Sequence, residues 1–237
     1  MKRKRRCLLI SNSTAHGGGY LDHCESEMLE FLGGRDRLAF IPFALYDREG
    51  YGRRAQDRFE TMGIQADVVT TDDHGRVLVA QAAAFFVGGG NTFRLIDTLQ
   101  RSGLLGVVRS RVRDGVPYMG ASAGSNIAAP TIRTTNDMPI VEPGSFESLA
   151  LVGFQINPHY LDPVPDSRHM GETREQRLEE YLEENDRAVV GLREGAWVRV
   201  EARAVHLGGA NGARIFRRAQ EPEERVAGES LSDLESF

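Results

Sequence analysis

The chain has 237 residues, 41% hydrophobic and 27% charged, which suits a soluble globular fold with room for an ample core. A net charge of −5 offers no footing for nucleic acid or an anionic membrane. The two cysteines, Cys7 and Cys24, exclude a disulfide framework and fit a reducing cytosol, and no cysteine–histidine spacing resembles a zinc site.

Residues 1–6 are a basic leader, and the apolar stretch behind them is only Cys7-Leu-Leu-Ile10. That is shorter than the ~7–15 residues of a secretory signal core. No run approaches the ~18 apolar residues of a membrane span, so a cytoplasmic location is expected. The only lysines are Lys2 and Lys4, both in the leader. Schiff-base chemistry, a Ser-Lys dyad and a Walker site each need a positioned lysine, so none of them is expected.

Residues 7–12 read as a buried strand. Helical spacing of Leu21, Cys24, Met28, Leu29 and Leu32 predicts a helix ended by Gly33-Gly34. Strands follow at 38–41 and 66–70, with a polar-faced helix at 53–62 between them and a short helix at 77–83 after them. A strand at 84–87 runs into Gly88-Gly-Gly90, then helices at 92–100 and 104–114, then a strand at 116–119. Apolar strands alternating with helices predict an α/β fold with a mostly parallel, doubly wound sheet, and chemistry at the carboxyl ends of its strands.

Residues 131–139 read as a polar loop, 154–157 as a short strand before Pro158, and 171–182 as an amphipathic helix capped by Thr173. A strand at 188–192 precedes Arg193-Glu194-Gly195. Runs at 197–200, 204–207 and 213–216 read as a small antiparallel C-terminal appendix. One domain is expected, with a core of about 7–217, and the charged residues 218–237 read as a mobile tail.

Gly120-Ala-Ser-Ala-Gly124 stands between a strand and a helix start, the pattern of a nucleophile elbow. The bland alternative is a small-residue turn that only packs. As nucleophile, Ser122 needs a base. Among six histidines His159 is preferred, because it directly follows a strand and Pro158 stiffens the approach. Its carboxylate partner is expected to be Asp137, in the chain order Ser, Asp, His. Glu194 is the rival, since it also ends a strand, and Asp162 reads as a loop residue. The glycine loop lacks a Walker lysine, so Gly89 and Gly90, with the N–H of Ala123, are read as the oxyanion site. Arg174 and Arg133 are arginines that follow the nucleophile in distinctive segments, and Arg174 is preferred to bind a substrate carboxylate.

Several segments resemble the S51 family of serine peptidases. They are Ser11-Asn-Ser-Thr14, Phe40-Ile-Pro-Phe43, Val87-Gly-Gly-Gly-Asn-Thr-Phe93, Gly120-Ala-Ser-Ala-Gly124, Pro130-Thr-Ile-Arg-Thr-Thr-Asn-Asp-Met-Pro-Ile-Val141, Gln155-Ile-Asn-Pro-His159 and Gly171-Glu-Thr-Arg-Glu-Gln-Arg177. The resemblance runs in order from about Cys7 to Phe216. It implies a fold like the class I glutaminase domain and a cofactor-free, cytoplasmic enzyme. The implied activity is cleavage of dipeptides with an N-terminal aspartate, with Ser122 as nucleophile, His159 as base, and Asp137 or Glu194 as acid. Ala121 stands where a bulkier aromatic residue is associated with the family. The alternatives are a cyanophycinase-like peptidase and a non-catalytic, flavodoxin-like ligand-binding domain.

Overall fold

Short apolar runs that can bury both faces alternate with segments that bury one stripe, and the chain lays them down as a covered sheet. The computed structural model describes residues 5–163 and 170–235. Strands β1 (Arg6–Ile10), β2 (Arg37–Ile41), β3 (Gln65–Val68), β4 (Phe85–Val87) and β5 (Tyr118–Ala121) run parallel. Strands β8 (Ala196–Glu201) and β9 (Ala204–Gly209) extend the sheet antiparallel beyond β1, in the order β3-β2-β4-β5-β1-β8-β9. In β1 the residues alternate between the two faces. Cys7 and Leu9 join one buried cluster, and Leu8 and Ile10 join the other.

The parallel strands are joined by α1 (Glu25–Leu32), α2 (Arg48–Thr61), α3 (Asp73–Gln81), α4 (Thr92–Arg101) and α5 (Leu104–Arg113). A one-turn helix, α6 (Ala123–Asn126), follows β5. Helix α2 starts five residues before the apolar pattern suggested, because the Asp47 side chain caps it through the Gly50 N–H. Helix α3 likewise starts early, capped by Asp72.

A second sheet has the order β11-β10-β7-β6, from β6 (Gln155–Tyr160), β7 (Val189–Arg193), β10 (Ala213–Phe216) and β11 (Glu223–Arg225). Strands β6 and β7 are parallel and joined by α7 (Arg174–Glu184), whose Thr173 and Gln176 form a capping box. The expected appendix is therefore split, with β8 and β9 on the main sheet and β10 on the second.

Residues 218–235 are not a mobile tail. Strand β11 pairs with β10, and Leu231 and Leu234 are buried in the core. Arg217 and Arg225 neutralise Glu223 and Asp233, and Glu235 makes a buried ion pair with Arg5. A charged composition concealed two apolar anchors three residues apart. Of the leader, residues 1–4 lie outside the described residues, as does His169.

Candidate active site

The elbow forms because its backbone has no room for side chains. A β-carbon at Gly120 would stand 2.4 Å from the Gly124 carbonyl oxygen, and one at Gly124 would stand 2.2 Å from the Val87 oxygen. Ser122 between them has φ 52° and ψ −111°, a conformation an L-residue adopts only under constraint. The constraint is the ladder on one side, where the Ser122 N–H donates to Ile10 O, and α6 on the other, where Ser122 O accepts from the Ser125 and Asn126 N–H groups. Ser125 Oγ and Tyr118 Oη tie the turn further, to Gly120 O and Gly124 O.

His159 sits in the second sheet, near the carboxyl end of β6. It occupies an irregularity in the β6–β7 ladder between Pro158 and Tyr160, with φ 52°. Its N–H donates to Ser11 Oγ at 2.9 Å, and Ser11 donates to Leu192 O. Its ring reaches Ser122 Oγ through Nε2 at 2.9 Å, and Glu194 Oε1 through Nδ1 at 2.6 Å. A carboxylate can only accept, so Nδ1 carries the proton and Nε2 accepts from the serine hydroxyl.

The expectation that Asp137 orients His159 is not met. Asp137 Oδ2 accepts from the Thr92 N–H at 2.7 Å, from Thr92 Oγ1 at 2.6 Å and from Thr135 Oγ1 at 3.1 Å. It thereby sits at the start of α4, where the helix dipole favours an anion. Glu194 takes the imidazole because it ends β7, the strand paired with that of His159. Its turn is held by the Gly195 N–H on Asn12 Oδ1 and by Asn211 Nδ2 on Glu194 O. Asp162 binds Arg193 instead.

A pocket of about 530 Å³ opens over Ser122, in the size range of small-ligand sites. Its walls include Gly89, Gly90, Ala123, Asp137, His159 and Arg174. Glu194 lies behind His159. Arg133 is elsewhere, stacked on Phe146 with 4.9 Å between guanidinium and ring centroid. Burial, then the nearby Arg177, pull the Arg174 pKa below its usual range, and Asp137 pushes the other way. A cation so placed gains by meeting a carboxylate.

The three expected oxyanion donors, Gly89, Gly90 and Ala123, have N–H groups without a backbone acceptor among the described residues. A β-carbon at Gly89 would stand 3.1 Å from Ser122 Cβ, so a side chain there would crowd the nucleophile. Ser11, Asn12, Thr92 and Thr135 carried no sign of these contacts in the sequence, apart from standing in distinctive segments.

The model of Peptidase family S51 matches residues 7–208. The chain belongs to peptidase family S51. This S51 chain is 55% identical over 227 residues to "Peptidase E" of Streptomyces coelicolor, covering 96% of this chain and 93% of the other. It is 42% identical over 237 residues to a Drosophila melanogaster protein named "Probable alpha-aspartyl dipeptidase", covering 99% and 98%. A solved peptidase from an acI-B1 actinobacterium shares the fold with a TM-score of 0.73, at 18% identity and 97% coverage of both chains. The S51 chain is thus a serine peptidase acting on small peptides, on a mixed α/β scaffold.

Proposed function

We propose that this peptidase hydrolyses dipeptides with an N-terminal aspartate, using Ser122, His159 and Glu194 as its triad. The observation that carries the reading is the unbroken contact from Ser122 Oγ through the His159 ring to Glu194, at 2.9 and 2.6 Å. Ser122 Oγ attacks the carbonyl carbon of the aspartyl residue while His159 Nε2 takes its proton. Glu194 stabilises the imidazolium. The Ala123 and Gly90 N–H groups meet the oxyanion. Collapse breaks the C–N bond, and Nε2 returns the proton to the leaving amine. Water, deprotonated by the same nitrogen, then cleaves the aspartyl ester.

An N-terminal aspartate carries an ammonium and a side-chain carboxylate. Asp137 and Arg174 face the pocket with the opposite charges. Asp137 Oδ2 is occupied by the Thr92 and Thr135 donors, and Oδ1 is assigned to the substrate ammonium. Arg174 is assigned to the substrate carboxylate, whose desolvation must be offset by a paired cation. The names of the relatives support the same substrate class, and the two buried free cysteines fit a cytoplasmic setting.

The test is hydrolysis of Asp-Leu, Ala-Leu and cyanophycin by the wild type and by Ser122→Ala, with mass-spectrometric location of a fluorophosphonate label. Asp-Leu should be cleaved, Ala-Leu should not, and the label should sit on Ser122. The variant should lose at least about 10⁴-fold in kcat. Preference for cyanophycin would move the substrate, and a label on another residue would remove the mechanism.

A further inference from the structure

The polar side chains that line the pocket over Ser122 can be accounted for one by one. Ser122 itself is bound to His159. Thr92 and Thr135 are bound to Asp137 Oδ2. Asn136 donates to Pro158 O and accepts from Asn157, at 2.7 Å each. Among the described residues, that leaves the Arg174 guanidinium, Asp137 Oδ1 and the Ser13 hydroxyl as the uncommitted groups of this lining. The first two face the side-chain carboxylate and the ammonium of an N-terminal aspartate. Ser13 has no such assignment.

The topology separates Ser13 from the other two. In the order β4-β5-β1, Ser122 follows the middle strand, between the loops that follow β4 and β1. Asp137 is tied to Thr92, on the β4 flank. His159 is tied to Ser11, on the β1 flank. The leaving amine takes its proton from His159 Nε2, so it faces the β1 flank as well. Pairing of Ile10 with Ala121 sets Ser11 level with Ser122. Ser13 stands two residues further on, a reach of at most about 7 Å. From a scissile carbon to the carboxylate carbon of the next residue is about 4 Å, and a hydrogen bond adds about 3 Å. The backbone here is fixed on both sides of the residue. Ser13 O accepts from the Leu21 N–H at 2.7 Å, and Thr14 O accepts from Asn12 Nδ2 at 3.0 Å.

We propose that Ser13 is a specificity-determining residue on the leaving-group side: its hydroxyl donates a hydrogen bond to the free C-terminal carboxylate of the departing residue, so that the enzyme reads both ends of a dipeptide. This rests on the serine mechanism and the aspartate reading above. A dipeptide with an N-terminal aspartate carries two carboxylates, and Arg174 accounts for one of them. A hydroxyl is uncharged, so it favours the free carboxylate over an amide or a longer chain without excluding either.

The test compares Asp-Leu with Asp-Leu amide, which differs only at that carboxylate. The wild type should cleave Asp-Leu with a kcat/KM about 10- to 100-fold higher, the worth of a hydrogen bond to a charged group. Ser13→Ala should lower kcat/KM on Asp-Leu by about the same factor and change it on the amide by less than about threefold. A purely structural role would lower both alike. The Ser13 hydroxyl binds no described protein group, so the melting temperature of the variant should stay within about 2 °C of the wild type. Equal losses on the two substrates, or an unchanged kcat/KM on Asp-Leu, overturn the proposal. A wild type that cleaves the two equally overturns it without any variant. Failure of the underlying reading is seen separately, as activity retained by Ser122→Ala or as cleavage of Ala-Leu as fast as Asp-Leu.

Discussion

The site is made by two sheets that contribute in different ways. The main sheet supplies backbone. The carboxyl ends of β4 and β5 bring Gly90, Ala123 and the strained Ser122, and close contact between main-chain atoms fixes their places. The second sheet supplies reach. Strand β6, helix α7 and strand β7 form one βαβ unit, and it carries His159, Arg174 and Glu194 at the ends that face Ser122. The backbone around His159 and Glu194 is held by hydrogen bonds from a few anchors. Each half obeys the rule that chemistry gathers at the carboxyl ends of parallel strands. The backbone half fails when a side chain is added. The side-chain half fails when an anchor is removed, which makes it the better place for mutational tests.

The sharpest test within the second half sets Glu194 against Asp137. If the βαβ unit carries the acid, Glu194→Gln lowers kcat by about 10³-fold with KM little changed. This is below the ~10⁴ template for a wrong imidazole tautomer, because the Glu194 side chain is about half exposed (49%). Asp137→Asn should act mainly on KM, since that carboxylate binds Thr92 and Thr135 and lines the pocket over Ser122. Steady-state kinetics on Asp-Leu decide. A larger kcat loss in Asp137→Asn would break the assignment of the triad to two sheets.

These assignments also mark what could be read in advance. The parallel sheet, the elbow turn and a histidine beside Ser122 were legible, because each depends on a local pattern: an apolar run, glycines flanking a serine, a histidine behind a proline. The carboxylate that meets the His159 ring was not, because chain order carries no distance. Asp137 lies 22 residues from His159 and Glu194 lies 35, yet the pairing of β6 with β7 brings only the second to the ring. The anchors Ser11, Asn12 and Thr135 were invisible for the same reason. The folded tail was misread because charge pairing and two leucines replaced the aromatic residues that usually announce packing.

Arg174 tests whether the unit also reads the substrate. Arg174→Met should reduce kcat/KM for Asp-Leu by about 10- to 100-fold, the worth of hydrogen bonds to a charged group. It should affect Asn-Leu less, so the preference for aspartate narrows. An equal fall on both substrates would leave Arg174 only a structural part of α7.

Ser11 joins the halves, since it follows β1 and holds the His159 N–H and Leu192 O. Ser11→Ala removes both contacts, and a buried polar group left without its partner costs about 1–3 kcal/mol. That is comparable with the ~1–3 kcal/mol of strain a non-glycine residue at positive φ stores, so the turn should relax and His159 should drift from Ser122. Denaturant unfolding should show the stability loss, and kcat should fall about tenfold with KM nearly constant. A stability loss with unchanged kcat would mean that the bulge is held by the β6–β7 ladder alone.

The smallest effect is expected where the strand ends are strapped at the surface. Arg193, next to Glu194, takes both oxygens of Asp162, three residues beyond His159, at 2.7 Å each. It also pairs with Glu224. The Arg193 hydrogen bonds hold the Asp162 carboxyl below its ordinary pKa, against a smaller opposing effect of burial. A carboxyl depressed in the folded state stabilises above its unfolded pKa of about 4, and that contribution is lost as pH falls through the lower, folded value. The Asp162 side chain is 46% exposed, so solvent limits the pair to less than about 1 kcal/mol. Asp162→Asn should therefore melt slightly below the wild type at pH 7, with kcat within about twofold. The two melting curves should converge as pH falls below about 4. A gap that persists at low pH would show that Asp162 holds the strand ends by hydrogen bonding that survives protonation, with its charge contributing nothing.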